Sequence, residues 1–398
     1  MISESLRTLE RMPPSAMNYL QKAFCHIHHW DYATAAGLLL SALESRPGES
    51  VSRASRVNLA ASLVVLGEHS AAEKWLNELE PECEPHSLHH LLNCHEIRAQ
   101  IHFLRGDFDA AKITLRNAEA MLGNDLDGPA RLLLKKWGYI VDVAQTGYSA
   151  NQPALDEFKS HIRASGHWES LRSLDWELAR VLRSPELAAK VYFGTPFRAF
   201  RQQILASEFG PSMPDHIVRT DARWKGGEPR LINGLTGQNM PLKFGSLPYR
   251  TSLLMLSDNY QPWTVYRLFD GLFGDEVFDP FHSPNRIYQL IDRIRLEIKT
   301  RNIPLDIRSS GLGFRLRPRD DGAVIVFDEM RFCSVEEMVL SLLKLRFRGK
   351  EFKLKDLNGL TPLSPTQNSR ILRALVEDRA IATISGSAKT RRYKIKVS

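Results

Sequence analysis

Three segments of the chain repeat one another, and this constrains the fold more than any other feature. They are 30-WDYATAAGLLLSALESRP-47, 67-GEHSAAEKWLNELEP-81 and 106-GDFDAAKITLRNAEAML-122. The second and third open on glycine, and each has a charged residue at its second position and then a pair of alanines: Ala35/Ala36, Ala71/Ala72 and Ala110/Ala111. Two antiparallel helices approach closely only where one offers small side chains, so the alanines predict packed helical hairpins. Helical patterns precede the second and third segments, at 56-RVNLAASLVVL-66 and 95-HEIRAQIHFL-104. Self-similarity at a period of tens of residues is the mark of a stacked array, in which each unit buries its apolar face against the next.

This pattern resembles the tetratricopeptide repeat, whose unit is about 34 residues; the spacing here is longer, and the resemblance covers residues 17–165. It implies a sensor or partner-binding domain, with an unknown peptide or protein held on the repeat surface. After residue 125 the pattern weakens, but 129–146, 152–164, 167–183 and 185–193 still read as helices, with Trp137, Trp168 and Trp176 as core wedges. A further helix fits 197–208. Prolines and glycines punctuate 194–230, placing a change of domain near residue 210.

The second half opens on a different logic. In 285-NRIYQLIDRIRLEIKTRNIPLDIRSSGLGFRLRP-318, Ile287, Ile291, Ile294 and Ile298 form an apolar helical stripe. Arg286, Gln289 and Arg293 lie on another face. Ile303 to Arg308 reads as a strand, Ser309 to Gly313 as a turn with two glycines free to take positive φ, and Phe314 to Arg317 as the returning strand. An exposed helix beside a hairpin is a winged helix. Arginine and glutamine read base edges in the major groove, while a hairpin carrying Arg308 and Arg315 suits phosphates.

Residues 228–318 resemble the OmpR/PhoB-type winged-helix domain of bacterial response regulators. The motifs are Gly234-Leu235-Thr236-Gly237, the helices at 247–259 and 264–274, the run Ile291-Asp292-Arg293-Ile294-Arg295, and the wing Gly311-Leu312-Gly313-Phe314-Arg315. The resemblance implies that Arg293 reads bases and Arg295 contacts phosphate, with Asn285, Arg286 and Gln289 at the exposed start of the recognition helix. Asp292 and Phe314 depart from the family's usual basic residue and tyrosine.

A second such module is expected at 330–398. Helix 335–347 precedes a short strand and helix in 351–360, then 364-SPTQNSRILRALVEDRA-380. Ile371, Leu372, Leu375 and Val376 give the last helix its apolar stripe, leaving Thr366, Gln367, Asn368, Arg370 and Arg373 expected on the exposed face. The hairpin 381–396 brings back Lys389, Arg391 and Arg392, with Gly386 at its tip. It resembles the generic bacterial winged helix. Charge agrees: 330–398 holds 15 Lys+Arg against 6 Asp+Glu, while 215–329 is nearly balanced at 16 against 15. A basic unit of this kind suits a polyanion.

The expected fold class is therefore mainly α: a tetratricopeptide-like helical-repeat domain over 1–210, followed by two α+β winged-helix domains over 211–320 and 330–398, joined by a linker around 318–330. The expected function is a DNA-binding transcriptional regulator acting on double-stranded DNA; the alternative is a protein-interaction scaffold without sequence-specific DNA binding. A homodimer is compatible with either.

Enzymatic chemistry is not expected. The chain carries no GxxxxGK[ST] phosphate loop and no GxSxG elbow, and Gly311-Leu312-Gly313 lacks the third glycine and following helix of a dinucleotide site. The acidic pairs Asp320-Asp321 and Asp328-Glu329 read as solvated linker charge. His86, His90 and Cys94 share a helical face, but no CxxC or HExxH spacing supports a metal there. No catalytic residue, metal or cofactor is expected. The start MISESLRTLERMPPS carries no basic-then-apolar leader, no run suits a membrane span, and the four cysteines have no paired spacing. A cytoplasmic protein with reduced thiols is the expectation.

Overall fold

The three turns aligned by the sequence belong to one structure that the described residues use five times. At Trp30, Gly67, Gly106, Gly166 and Arg183 the backbone enters the left-handed region, with φ between 47° and 84°. In each case the next residue returns its amide to the carbonyl five positions back: Asp31 to His26, Glu68 to Leu63, Asp107 to His102, His167 to Ile162 and Ser184 to Ala179, at 2.9–3.1 Å. This is the six-to-one bond of a Schellman stop, which satisfies carbonyls left open at a helix end. The next helix begins two residues after the left-handed position every time. Asp31, Asp107 and Ser184 then cap it by accepting from the amides of Thr34, Ala110 and Leu187.

The computed structural model describes residues 2–83, 87–122, 128–208, 210–211, 216–220, 231–233, 239–240, 246–274, 276–300, 302, 305–311, 313–318, 323–326, 336, 339–340, 343, 347, 350–358, 361, 363–378, 380–385 and 391–395. The chain is mainly helical, with small sheets confined to its C-terminal part. It divides into two compact units: Met1–Tyr192 with Phe197–Pro211, and Phe193–Pro196 with Ser212–Ser398.

The first unit is all helix: α1 (Ile2–Arg11), α2 (Ala16–His28), α3 (Tyr32–Glu44), α4 (Glu49–Val65), α5 (His69–Cys83), α6 (Leu88–Leu104), α7 (Phe108–Met121), α8 (Pro129–Thr146), α9 (Tyr148–Ala164), α10 (Trp168–Val181), α11 (Pro185–Gly194) and α12 (Arg198–Leu205). Residue Gly194, at the end of α11, is counted with the second unit. Five residues past each left-handed position stands a buried residue: Ala35, Ala72, Ala111, Leu171 and Ala188. Leu39, Leu76 and Leu115 follow one turn later, also buried. Small residues at the closest approach and leucines behind them let each helix seat on its neighbour. Trp137 and Trp176 are buried as expected, whereas Trp168 is only half-buried, because it starts its helix rather than crossing a core.

The first turn of this unit also touches its last helices. Trp30 donates from Nε1 to Glu169 at 2.7 Å and stacks on Phe200 with ring centroids 3.9 Å apart. Arg172, wholly buried, donates to the same Glu169 and lies over the Phe197 ring.

The described residues of the second unit form three sheets. In the first, β1 (His216–Thr220) pairs antiparallel with β2 (Leu231–Asn233), and β2 with β3 (Asn239–Met240). Three helices follow: α13 (Leu247–Ser257), α14 (Val265–Phe273) and α15 (Ser283–Thr300). Then β4 (Leu305–Ser310) and β5 (Gly313–Pro318) form a hairpin in which Arg308 faces Arg315 and Ile307 faces Leu316. The stretch expected to be a linker instead holds β6 (Ala323–Val326), which pairs parallel with β1 and completes a four-stranded sheet in the order β3-β2-β1-β6. Its Ala-Val-Ile-Val run has the apolar, β-branched character of a strand. Asp320, Asp321, Asp328 and Glu329 lie outside the described residues, as do Gly234 and Gly237.

Helices α13–α15 and the hairpin share one core, centred on Leu256, Leu268, Ile287, Ile291, Leu305 and Phe314. A second core gathers Val339, Leu343, Phe352, Leu357, Leu372, Leu375 and Ile381. It is built from β7 (Glu351–Lys353), α16 (Leu354–Asn358), α17 (Pro365–Glu377), β8 (Ile381–Ser385) and β9 (Arg392–Ile395), with sheet order β7-β9-β8. Of the helix expected at 335–347, the described residues Glu336, Val339, Leu340, Leu343 and Phe347 are helical. Leu363, between α16 and α17, packs against both cores.

Candidate nucleic-acid interface

The hairpin β4–β5 is fixed to the helices by backbone. Trp263, just before α14, exchanges two hydrogen bonds with Phe314: amide to carbonyl at 2.8 Å and the reverse at 2.9 Å. Gly313 makes this approach possible. Its φ is +139°, and a Cβ there would lie 2.5 Å from the Trp263 carbonyl oxygen. Gly311 has open space around it and no positive φ, so only one of the two turn glycines is conformationally required.

Helix α15 buries its isoleucine stripe as the periodicity demands and exposes Asn285, Arg286, Gln289, Asp292 and Arg293. The charges on that face are not equally available. Arg286 donates both Nη groups to Glu276, at 2.6 and 3.3 Å, and lies 4.0 Å over the Phe273 ring. That hydrogen-bonded pair holds the Glu276 carboxyl below its usual range and the Arg286 guanidinium above its own.

Arg295, which the family resemblance assigns to phosphate, is turned inward. It donates to the Ile307 carbonyl from Nε at 3.1 Å and Nη2 at 3.0 Å, to Ser309 Oγ at 2.7 Å and to Asp292 at 3.1 Å. Its guanidinium therefore stitches α15 to β4, and the acid standing at 292 is its partner. Asn285, Gln289 and Arg293 stay exposed. On the hairpin, the outward face carries Asp306, Arg308, Arg315 and Arg317. Arg308 pairs with Asp306 at 3.2 Å, Arg315 is half-buried, and Arg317 is exposed. Strand alternation puts Arg317 on the face of Arg315, and that period was the available signal for it.

The second module is arranged differently. Helix α17 opens with a capping box: Ser364 accepts from the Gln367 amide, while the Gln367 side chain accepts from the Ser364 amide at 3.0 Å. Gln367 is exposed, but its carbonyl oxygen is engaged in this cap. Asn368 is not on the exposed face, as had been expected. It is fully buried, accepts from Thr361 Oγ1 at 2.7 Å and donates to the Leu363 carbonyl. It stands three, four and seven residues before Ile371, Leu372 and Leu375, so helical spacing puts it on the apolar stripe.

Thr366, Arg370 and Arg373 remain on the open face. Among the described residues neither Arg370 nor Arg373 has an acidic partner within ion-pair distance. On β9, Arg392 pairs with Glu351 at 3.1 Å, while Arg391 and Lys394 are exposed. Lys389 lies outside the described residues.

In the helical unit, His90 bonds to Ser87 and Cys94 is buried in the same core as Cys83, while His86 lies outside the described residues. Among the described residues, no helix is long and apolar enough to cross a membrane.

Two helix-and-hairpin modules thus offer arginine faces of unlike character. In α15 two of three arginines on or beside the exposed face are committed to internal acids, and in α17 both are open. No family model, curated protein or solved structure matches the chain.

Proposed function

We propose that this protein is a DNA-binding transcriptional regulator of the cytoplasm, in which tandem winged helices engage double-stranded DNA under the control of a tetratricopeptide-like helical domain. The C-terminal module carries the principal contact. Thr366, Arg370 and Arg373 meet the major groove from α17, while Arg391 and Lys394 reach phosphates from the strand of the wing. The observation that carries this reading is the pair Arg370 and Arg373, exposed on α17 beside a basic hairpin and without an acidic partner among the described residues. An arginine already bound to a carboxylate would have to surrender that partner before reading guanine.

The first module contributes less to affinity. Arg293, Gln289 and Asn285 are its open base-reading candidates, and Arg308, Arg315 and Arg317 its phosphate candidates. The commitment of Arg286 to Glu276, and of Arg295 to Asp292 and Ile307, favours the second reading for this module alone: a protein-assembly surface rather than a DNA contact.

Selection from a pool of random duplexes with the full chain tests the proposal. A recovered consensus is expected. Arg370→Ala should erase part of it, with about 1–3 kcal/mol of discrimination lost at the contacted base pair. Arg293→Ala should change a separate position only if the first module also reads bases. Failure to recover any consensus, with protein partners captured instead, would establish the scaffold.

A further inference from the structure

A cavity of about 670 Å³ opens in the helical unit where the turn at Gly106, the turn at Arg183 and the residues after α12 come together. That volume suits a small organic ligand, for which pockets of roughly 300–1,000 Å³ are usual. Its inner wall is apolar, formed by Phe103, Phe108, Val181 and Ala144. The Phe103 ring lies 5.6 Å from that of Phe108 and 5.7 Å from that of Trp137, so this wall is a braced aromatic surface.

The mouth is charged. Arg180 is matched by Glu177 at 2.9 Å. Arg183 is not held in this way: its contact with Glu208 is 3.9 Å long, and the two side chains are 81% and 90% exposed. Water weakens such a pair, so Glu208 holds Arg183 only loosely. Arg183 is also anomalous in its backbone. Three of the five equivalent turns use glycine at the left-handed position, where a Cβ is disfavoured. An arginine held there against its conformational preference, at the rim of a cavity with one aromatic wall, points to a use for its side chain.

We propose that this cavity binds a small monocarboxylate with an apolar body, and that Arg183 receives the carboxylate. The body lies along Phe103, Phe108 and Val181, covering apolar surface that water otherwise meets. The planar guanidinium donates two parallel hydrogen bonds to the carboxylate, a contact that an alcohol or an amine does not reproduce. Glu208 is the competitor that the ligand displaces.

Calorimetric titration of the full chain with octanoate and with octan-1-ol tests this. Saturable one-to-one octanoate binding is expected, about tenfold tighter than octan-1-ol. Arg183→Gly retains the turn, since glycine occupies three of its four counterparts. It should weaken octanoate about tenfold and leave octan-1-ol unchanged. Glu208→Gln should tighten octanoate only, and Ala144→Phe, which fills the cavity, should abolish both. Equal affinity for acid and alcohol, an unaffected Arg183→Gly variant, undiminished binding by Ala144→Phe, or no saturable octanoate binding at all would each overturn the proposal. None of these readouts involves nucleic acid, so the outcome is separate from the DNA-binding reading.

Discussion

Trp263 and Phe314 exchange both of their backbone hydrogen bonds, at 2.8 and 2.9 Å, and so pin the β4–β5 hairpin to the approach of α14. The bridge exists because residue 313 has no side chain. Gly313→Ala would set a Cβ 2.5 Å from the Trp263 carbonyl oxygen at a φ of +139°. The expected loss is about 2 kcal/mol or more, from strain and a displaced hairpin. Gly311→Ala, with nothing near its Cβ, should stay within about 0.5 kcal/mol of the parent. Urea denaturation of the two variants measures the contrast.

Arg295 and Arg293, two residues apart on α15, should separate structure from recognition. Arg295→Ala removes three hydrogen bonds that join the helix to Ile307 and Ser309, and a fourth to Asp292 on the same helix. A loss of roughly 1.5–3 kcal/mol in stability is expected, since charged donors are involved. Lysine should not restore it, because a single ammonium cannot span the same acceptors. Arg293→Ala should leave the denaturation midpoint nearly unchanged. A large stability loss on changing Arg293 would mean that its exposed position has been misjudged.

The recurring turn gives a prediction of opposite signs at equivalent positions. Arg183 occupies the left-handed backbone that Gly67, Gly106 and Gly166 adopt elsewhere. Arg183→Gly should raise stability by about 1 kcal/mol, and Gly106→Ala should lower it by about the same amount. Thermal unfolding of both variants reads the two shifts.

Acid should loosen the helical unit through one carboxylate. Asp175 is buried between Lys159 and Lys190, whose Nζ atoms approach its oxygens at 2.8 and 2.9 Å. Burial alone would raise its pKa; the two ammonium groups outweigh that and hold it well below the usual carboxylate range. A depressed folded-state pKa contributes stability that is present above the unfolded value near 3.9 and is lost as pH falls below it. Unfolding free energy should therefore decline from about pH 5 downward. Asp175→Asn should flatten that slope while costing about 3–5 kcal/mol at neutral pH, because two lysines lose their partner.

The mainly helical character of the chain was legible, and so were many of its elements. The segment 129–146 read as a helix, and the structure has Pro129–Thr146. Alanine pairs gave the close contacts at Ala35, Ala72 and Ala111. The turn at Arg183 was not recognised as the same motif, because only glycine advertises a left-handed residue and arginine does not. Strand β6 was missed because its partner β1 lies about 100 residues earlier, and parallel pairing leaves no local turn to read. The candidate interface was the least legible part. By residue type and spacing Arg286 and Arg295 look as available as Arg293, and only the positions of Glu276 and Ile307 reveal that they are occupied. Asn368 could have been removed from the exposed face by extending the Ile371–Leu372–Leu375 stripe one turn backward.

The most direct test of DNA recognition through the C-terminal module is the affinity of the full chain for duplex DNA measured across salt concentrations, with Arg370→Ala/Arg373→Ala beside the parent. Each phosphate contact contributes close to one unit to the slope of log affinity against log salt. Arg391→Ala should flatten that slope by about one unit. The double variant should lose sequence discrimination, binding specific and random duplexes alike. A parent chain whose affinity does not fall as salt rises, or a double variant that still prefers the selected site, would contradict it.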